Sequence, residues 1–169
     1  MEQTLLNIGF GSSVVAGRVV AIVSPKSAPK KRHSVPMKRL KDDAKEENRL
    51  VDATHGRETR VIIIMDSNHV VLSAIQSEKI TGGGEMEQTL LNIGFGSSVV
   101  AERVVAIVSP NSSPMKRLKD DAKEEKRLVN VTHGHKVRVI IVMDSNHVVL
   151  SAVRSETISK RYASLKESK

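Results

Sequence analysis

Residues 1–25 return as residues 86–110 with a single difference, Gly17 against Glu102. Residues 37–80 return as residues 115–158 with 10 differences. No other feature limits the fold as strongly. A period of about 80 residues is too long for a solenoid unit or propeller blade and suits a small complete domain. The chain is therefore expected to be two copies of one domain. The first spans residues 1–80 and the second residues 86–169, the latter ending in a tail (SKRYASLKESK). Residues 81–85 (TGGGE) link them, and three glycines give that linker no preferred conformation. Five extended residues reach about 17 Å, so the copies are expected to be neighbours.

A unit of this size has little core of its own, and contacts between units commonly make up the deficit. Self-association into a higher oligomer is expected for that reason. The chain has no cysteine, which excludes disulfides, thiolate chemistry and Cys-based zinc sites. The N-terminus lacks a basic region followed by a long apolar run, so no signal peptide is expected. The apolar run Val61–Met65 is far too short to cross a bilayer, so no membrane is expected as a partner. A soluble, cytoplasmic protein is the expectation.

Net charge is +8, with 13 Lys/Arg against 10 Asp/Glu in residues 1–85 and 14 against 9 in residues 86–169. Both copies are basic, which allows an anionic partner. Phe10, Phe95 and Tyr162 are the only aromatic residues. One Phe per copy cannot stack a single strand of bases, so duplex phosphate is the better nucleic-acid partner.

Within one copy, Thr4–Phe10 reads as a strand ending in Gly9-Phe10-Gly11. Ser12–Ser24 reads as one or two strands broken near Gly17. A basic insert follows in copy one only, at about residues 30–36, and is expected to be an exposed loop. Met37–Asn48 is the clear helix, with Met37, Leu40 and Ala44 on one apolar stripe. Leu50–Thr54, a turn, Arg60–Met65, the turn Asp66–His69 and Val70–Ala74 read as strands joined by tight turns. The fold class is α+β: two copies of a small, mainly antiparallel sheet carrying one main helix.

Asp66 with His69, and Asp144 with His147, can be read as metal ligands, an acid–base pair or plain turn residues. No motif places a nucleophile beside them, so no catalytic residue, metal or cofactor is expected. Gly9–Ser13 lacks the GK[ST] ending of a phosphate loop and reads as a strand-to-strand turn. The arginines are more informative. Arg18 and Arg103 interrupt apolar strand sequence, where a charge must point outwards or meet an acidic or anionic partner. Arg57 and Arg60, with His135, Lys136 and Arg138 in copy two, surround a turn that can project towards a phosphate backbone.

The segments LNIGFGSSVVAGRVVAIVSP, PMKRLKDDAKEE and LVDATHGRETRVIIIMDSNHVVLSA closely resemble the RemA-type extracellular-matrix regulators of bacteria, over nearly all of both copies. The resemblance implies a non-enzymatic DNA-binding protein that assembles into rings, presents a basic surface to DNA and activates transcription of biofilm-matrix and osmoprotection genes. It implies DNA contacts from Arg18, Arg103 and Arg57, with Arg60, Lys136 and Arg138 beside them. It also implies association with the nucleoid and no small-molecule substrate. Glu58 stands where the family has a second arginine, and Glu102 stands beside Arg103. An oligomeric scaffold with weakened DNA binding is the alternative those two acids raise.

Overall fold

The computed structural model describes residues 4–25, 35–81 and 89–167. Copy one opens with the hairpin β1 (Leu5–Gly9) and β2 (Ser12–Val15). A single 3-10 turn, Ala16–Arg18, leads into β3 (Val19–Val23). Then come α1 (Val35–Glu46), β4 (Leu50–Asp52), β5 (Val61–Met65), β6 (Val70–Ser73) and the short α2 (Ser77–Thr81). Copy two repeats this as β7 (Leu90–Gly94), β8 (Ser97–Val100), β9 (Val104–Val108), α3 (Ser113–Glu124), β10 (Leu128–Asn130), β11 (Val139–Met143) and β12 (Val148–Ser151). It closes with α4 (Ser155–Glu167), whose first turn corresponds to α2. No helix among the described residues is long and apolar enough to cross a membrane.

The main helix begins two residues earlier than the stripe suggests. Val35 and Pro36, expected in the basic loop, form its first turn, where proline's fixed φ suits a helix and its missing N–H costs nothing. The lysines and arginine of that insert lie outside the described residues, as do linker residues 82–85. The stripe itself is buried: Met37 and Ala44 are fully covered and Leu40 packs against the core. Both helices hand over through a left-handed residue, Asn48 (φ 59°) and Lys126 (φ 59°), so lysine takes the position that asparagine prefers.

Each copy builds a four-stranded sheet, β4-β6-β5-β3 or β10-β12-β11-β9. All pairs are antiparallel except β4 with β6 and β10 with β12. β5 is buried along its whole length, as its uniformly apolar sequence requires. The hairpins do not close onto their own sheets. Instead β8 of copy two pairs with β3 of copy one, with Ala21 opposite Val99 and Ile22 opposite Ser98. This extends the first sheet to six strands and leaves β1–β2 as a separate two-stranded sheet. One apolar cluster runs through the joint, from Val20, Val23 and Ile64 of copy one to Leu91, Val99 and Ile141 of copy two.

Candidate nucleic-acid interface

The sites read from sequence fall at opposite ends of β3. Antiparallel pairing sets Val19 against Met65 and Val23 against Ile62. Arg18 and Asp66 therefore lie at one end, and Ser24 and the 54–60 turn at the other. The six residue steps from Arg18 to Ser24 put these ends about 20 Å apart.

At the first end the strand arginines meet carboxylates. Arg18 Nε and Nη2 donate to Asp66 Oδ1 at 2.9 and 2.8 Å. Arg103, from copy two, donates through Nη1 to Asp66 Oδ2 (3.1 Å) and through Nε to Asp144 Oδ1 (2.8 Å). The result is an alternating row, Arg18–Asp66–Arg103–Asp144, across the joint. Burial works to raise the Asp66 carboxyl, but the bonds and charges of Arg18 and Arg103 outweigh it and lower it. Burial likewise works to lower Arg103, and its bonds to Asp144 and Asp66 raise it instead. The sequence left Arg18 either pointing outwards or meeting an acidic or anionic partner. It did not show that a turn residue 48 positions away was that partner.

The Asp66–His69 segment is a turn: the Asn68 N–H donates to the Met65 carbonyl (2.9 Å) and Asn68 is left-handed (φ 70°). In copy two the same turn is built into the joint. His147 Nε2 lies 2.7 Å from Asn68 Oδ1 and its Nδ1 lies 2.6 Å from Ser145 Oγ. Burial first, then the charges of Arg127, Arg49 and Arg103, push this imidazole down to about 4. Its counterpart His69 is exposed. Among the described residues no group of three or more His, Cys, Asp or Glu is placed to hold a metal.

At the second end each hairpin tip meets a turn. Gly9, Phe10 and Gly11 are all left-handed (φ 94°, 55° and 79°), which turns the Phe10 ring over residues 55–57. The Arg57 guanidinium carbon lies 4.6 Å from the Phe10 ring centroid. In copy two the Phe95 ring stacks on His135 at 4.9 Å and meets His133 edge-on at 5.5 Å. Burial and the neighbouring His135 lower His133. Asp52 holds the copy-one turn by accepting from the Thr54 N–H (3.0 Å) and Oγ1 (2.6 Å), and Asn130 does the same for Thr132. Those bonds from Thr54 lower the Asp52 carboxyl. Arg57, Glu58, Arg60, His135, Lys136 and Arg138 are all exposed. The two tips share one edge of the molecule, because the Ser24 N–H donates to Ser97 Oγ (3.0 Å) beside the Phe95 turn. The contacts of the two Phe rings with these turns were not legible in the sequence, which showed the phenylalanines, the turns and the charges separately.

A family model described as RemA-like, Extracellular matrix regulatory protein A-like, matches residues 5–82 and again residues 90–162. The chain belongs to the RemA-like family. A relative from Desulfatibacillum aliphaticivorans, named "Putative regulatory protein", is 64% identical over 80 residues, 47% of this chain and 90% of the relative. Proteins of the same name from Maridesulfovibrio salexigens and Thermosipho melanesiensis are 63% and 55% identical over 78 and 73 residues. These cover 46% and 43% of this chain and 91% and 78% of the relatives. Relatives of this length correspond to one copy, so the RemA-like chain described here carries the family's unit twice.

Proposed function

We propose that this RemA-like chain is a non-enzymatic transcriptional regulator that binds duplex DNA as a head-to-tail array of chains. One observation carries the reading: each end of the chain is half of a joint that the chain already makes once internally. Val20 on β3, the strand that pairs with β8, is fully buried, whereas its counterpart Val105 on β9 is 65% exposed. Leu5 on β1 is also 65% exposed, while Leu90 on β7 is partly covered in the joint. Charge matches shape. Asp144, 47% exposed, ends the ionic row on one side, and Arg18, 57% exposed, begins it on the other. A second chain placing its β1–β2 hairpin against β9 continues both the sheet and the row. Such heterologous contacts form a ring where the rotation closes.

Every joint then adds a tip to the same edge. That edge carries Arg57 and Arg60 from copy one and Lys136 and Arg138 from copy two. Many exposed cations acting together suit the regular charge of a duplex and give affinity that falls by about 0.9 log unit per log salt for each phosphate neutralised. Few groups on this edge resemble base-edge readers, so sequence preference would come through DNA shape. Arg18 and Arg103 act in this reading as joint residues as well as cations. The cytoplasmic, nucleoid-associated location follows from the DNA partner.

The test is a salt series of duplex binding together with mass measurement. Changing Arg57, Arg60, Lys136 and Arg138 to alanine should abolish binding and leave the assembly mass unchanged. Unaltered binding by that variant removes the edge from the reading. Assembly without any duplex binding at low salt would support the scaffold alternative, which the exposed Glu58 in the copy-one tip favours.

A further inference from the structure

The internal joint and the chain-to-chain joint differ chemically, because the two copies differ at the residues that line them. At the internal joint Arg103 Nη1 lies 3.4 Å from the carbonyl oxygen of Gly17. The same joint is strapped by Lys126 Nζ to Glu47 Oε2 (3.4 Å), and Arg49 shares Glu47. In the head-to-tail reading, matching the copies position by position in sequence carries these contacts to a chain-to-chain joint. Arg18 of the incoming chain takes the place of Arg103, and Glu102 takes the place of Gly17. Glu125 takes the place of Glu47, and Asn48 takes the place of Lys126. The lysine strap is thus missing from the chain-to-chain joint. In exchange, that joint would carry Glu102 at the position Gly17 holds in the internal joint.

The position has room for it. A Cβ at Gly17 would meet nothing within 4 Å, so a side chain is sterically allowed on the turn whose carbonyl faces Arg103 Nη1 at 3.4 Å. Glu102 is exposed on the corresponding turn of copy two, the face that meets the next chain. Read from the sequence, Glu102 weakens a DNA contact at Arg103. Its position in the joint gives it a different task.

We propose that Glu102 is a self-association residue, pairing with Arg18 of the next chain and replacing the Lys126–Glu47 strap of the internal joint. This rests on the head-to-tail reading above. The partner is a second copy of this chain, approaching with its β1–β2 hairpin.

Sedimentation of the full chain over a range of concentrations tests it, with duplex binding measured in parallel. The wild-type chain should assemble, and Glu102→Gly, which copies the residue already tolerated at position 17, should weaken assembly about three- to tenfold while the monomer stays folded. Glu102→Lys should weaken it further, and Asn48→Lys, which supplies the missing strap to Glu125, should tighten it. A wild-type chain that stays monomeric at every concentration sinks the head-to-tail reading itself. A wild-type chain that assembles with the same affinity as Glu102→Gly overturns the role of Glu102 alone. So does a gain in DNA affinity by Glu102→Gly with unchanged assembly, because that outcome places Glu102 against phosphate.

Discussion

His147 gives the sharpest link between this fold and a measurable number. It is 1% exposed and lies between the copies. Asn68 Nδ2 donates to the Lys126 carbonyl (3.2 Å), which turns Asn68 Oδ1 towards the imidazole. Nε2 therefore carries the proton in the neutral ring, and Nδ1 accepts from Ser145 Oγ. An added proton finds Arg127, Arg49 and Arg103 nearby, with the weaker influence of Asp66 to oppose them. The folded value is about 4 against an ordinary 6.5. At 1.36 kcal/mol per pH unit this difference is worth on the order of 3 kcal/mol. The folded value is depressed, so the unfolded chain binds the proton first. The contribution is fully present above pH 6.5 and is lost as pH falls towards 4. About 2 kcal/mol should already be gone at pH 5. Urea unfolding at pH 7 and pH 5 measures the loss. His147→Gln keeps a donor for Asn68 and cannot titrate, so its stability should fall by about 2 kcal/mol less over that interval. Equal pH dependence in the two proteins would refute the burial argument.

Two further outcomes follow from the geometry. Gly9→Ala should destabilise by about 2 kcal/mol, since the new Cβ would lie 2.6 Å from Ile75 Cγ2 at a φ of +94°. Gly11→Ala, at φ +79° with nothing within 4 Å, should cost about 1 kcal/mol, and urea midpoints distinguish the pair. Asp66→Asn should cost about 2 kcal/mol at pH 7, mostly through Arg103, which is 17% exposed and loses the Asp66 half of its Asp66–Asp144 bridge. The difference from wild type should shrink as acid protonates the wild-type carboxylate, because Asp66 is lowered and its contribution disappears as pH falls through its folded value. A difference that persists in acid would show that the carboxylate charge is not the stabilising element.

Much of the unit could be read along the chain. The five-residue apolar run at Val61–Met65 became the buried central strand β5, and the Met37–Leu40–Ala44 stripe became the packed face of α1. The Asp66–His69 turn was legible because asparagine tolerates the left-handed backbone that closes it. Local patterns of this kind depend on residues two to four apart. The arginine partners were not legible, because Arg18–Asp66 spans 48 residues and Arg103–Asp66 spans 37. Charge alone does not choose among the 19 acidic residues.

The repeat settled that one unit occurs twice and that the copies lie close together. It also carried the family, since both copies hold the whole pattern. It could not say how the copies join. Only the tertiary structure showed that the copy-two hairpin leaves its own sheet and extends the sheet of copy one, while the β1–β2 hairpin stands as a separate two-stranded sheet. Strand edges are satisfied by backbone hydrogen bonds, which any extended segment can supply, so sequence does not name the partner. That one choice of pairing buries β3, leaves β9 open and sets Arg18 and Asp144 at opposite ends of the chain.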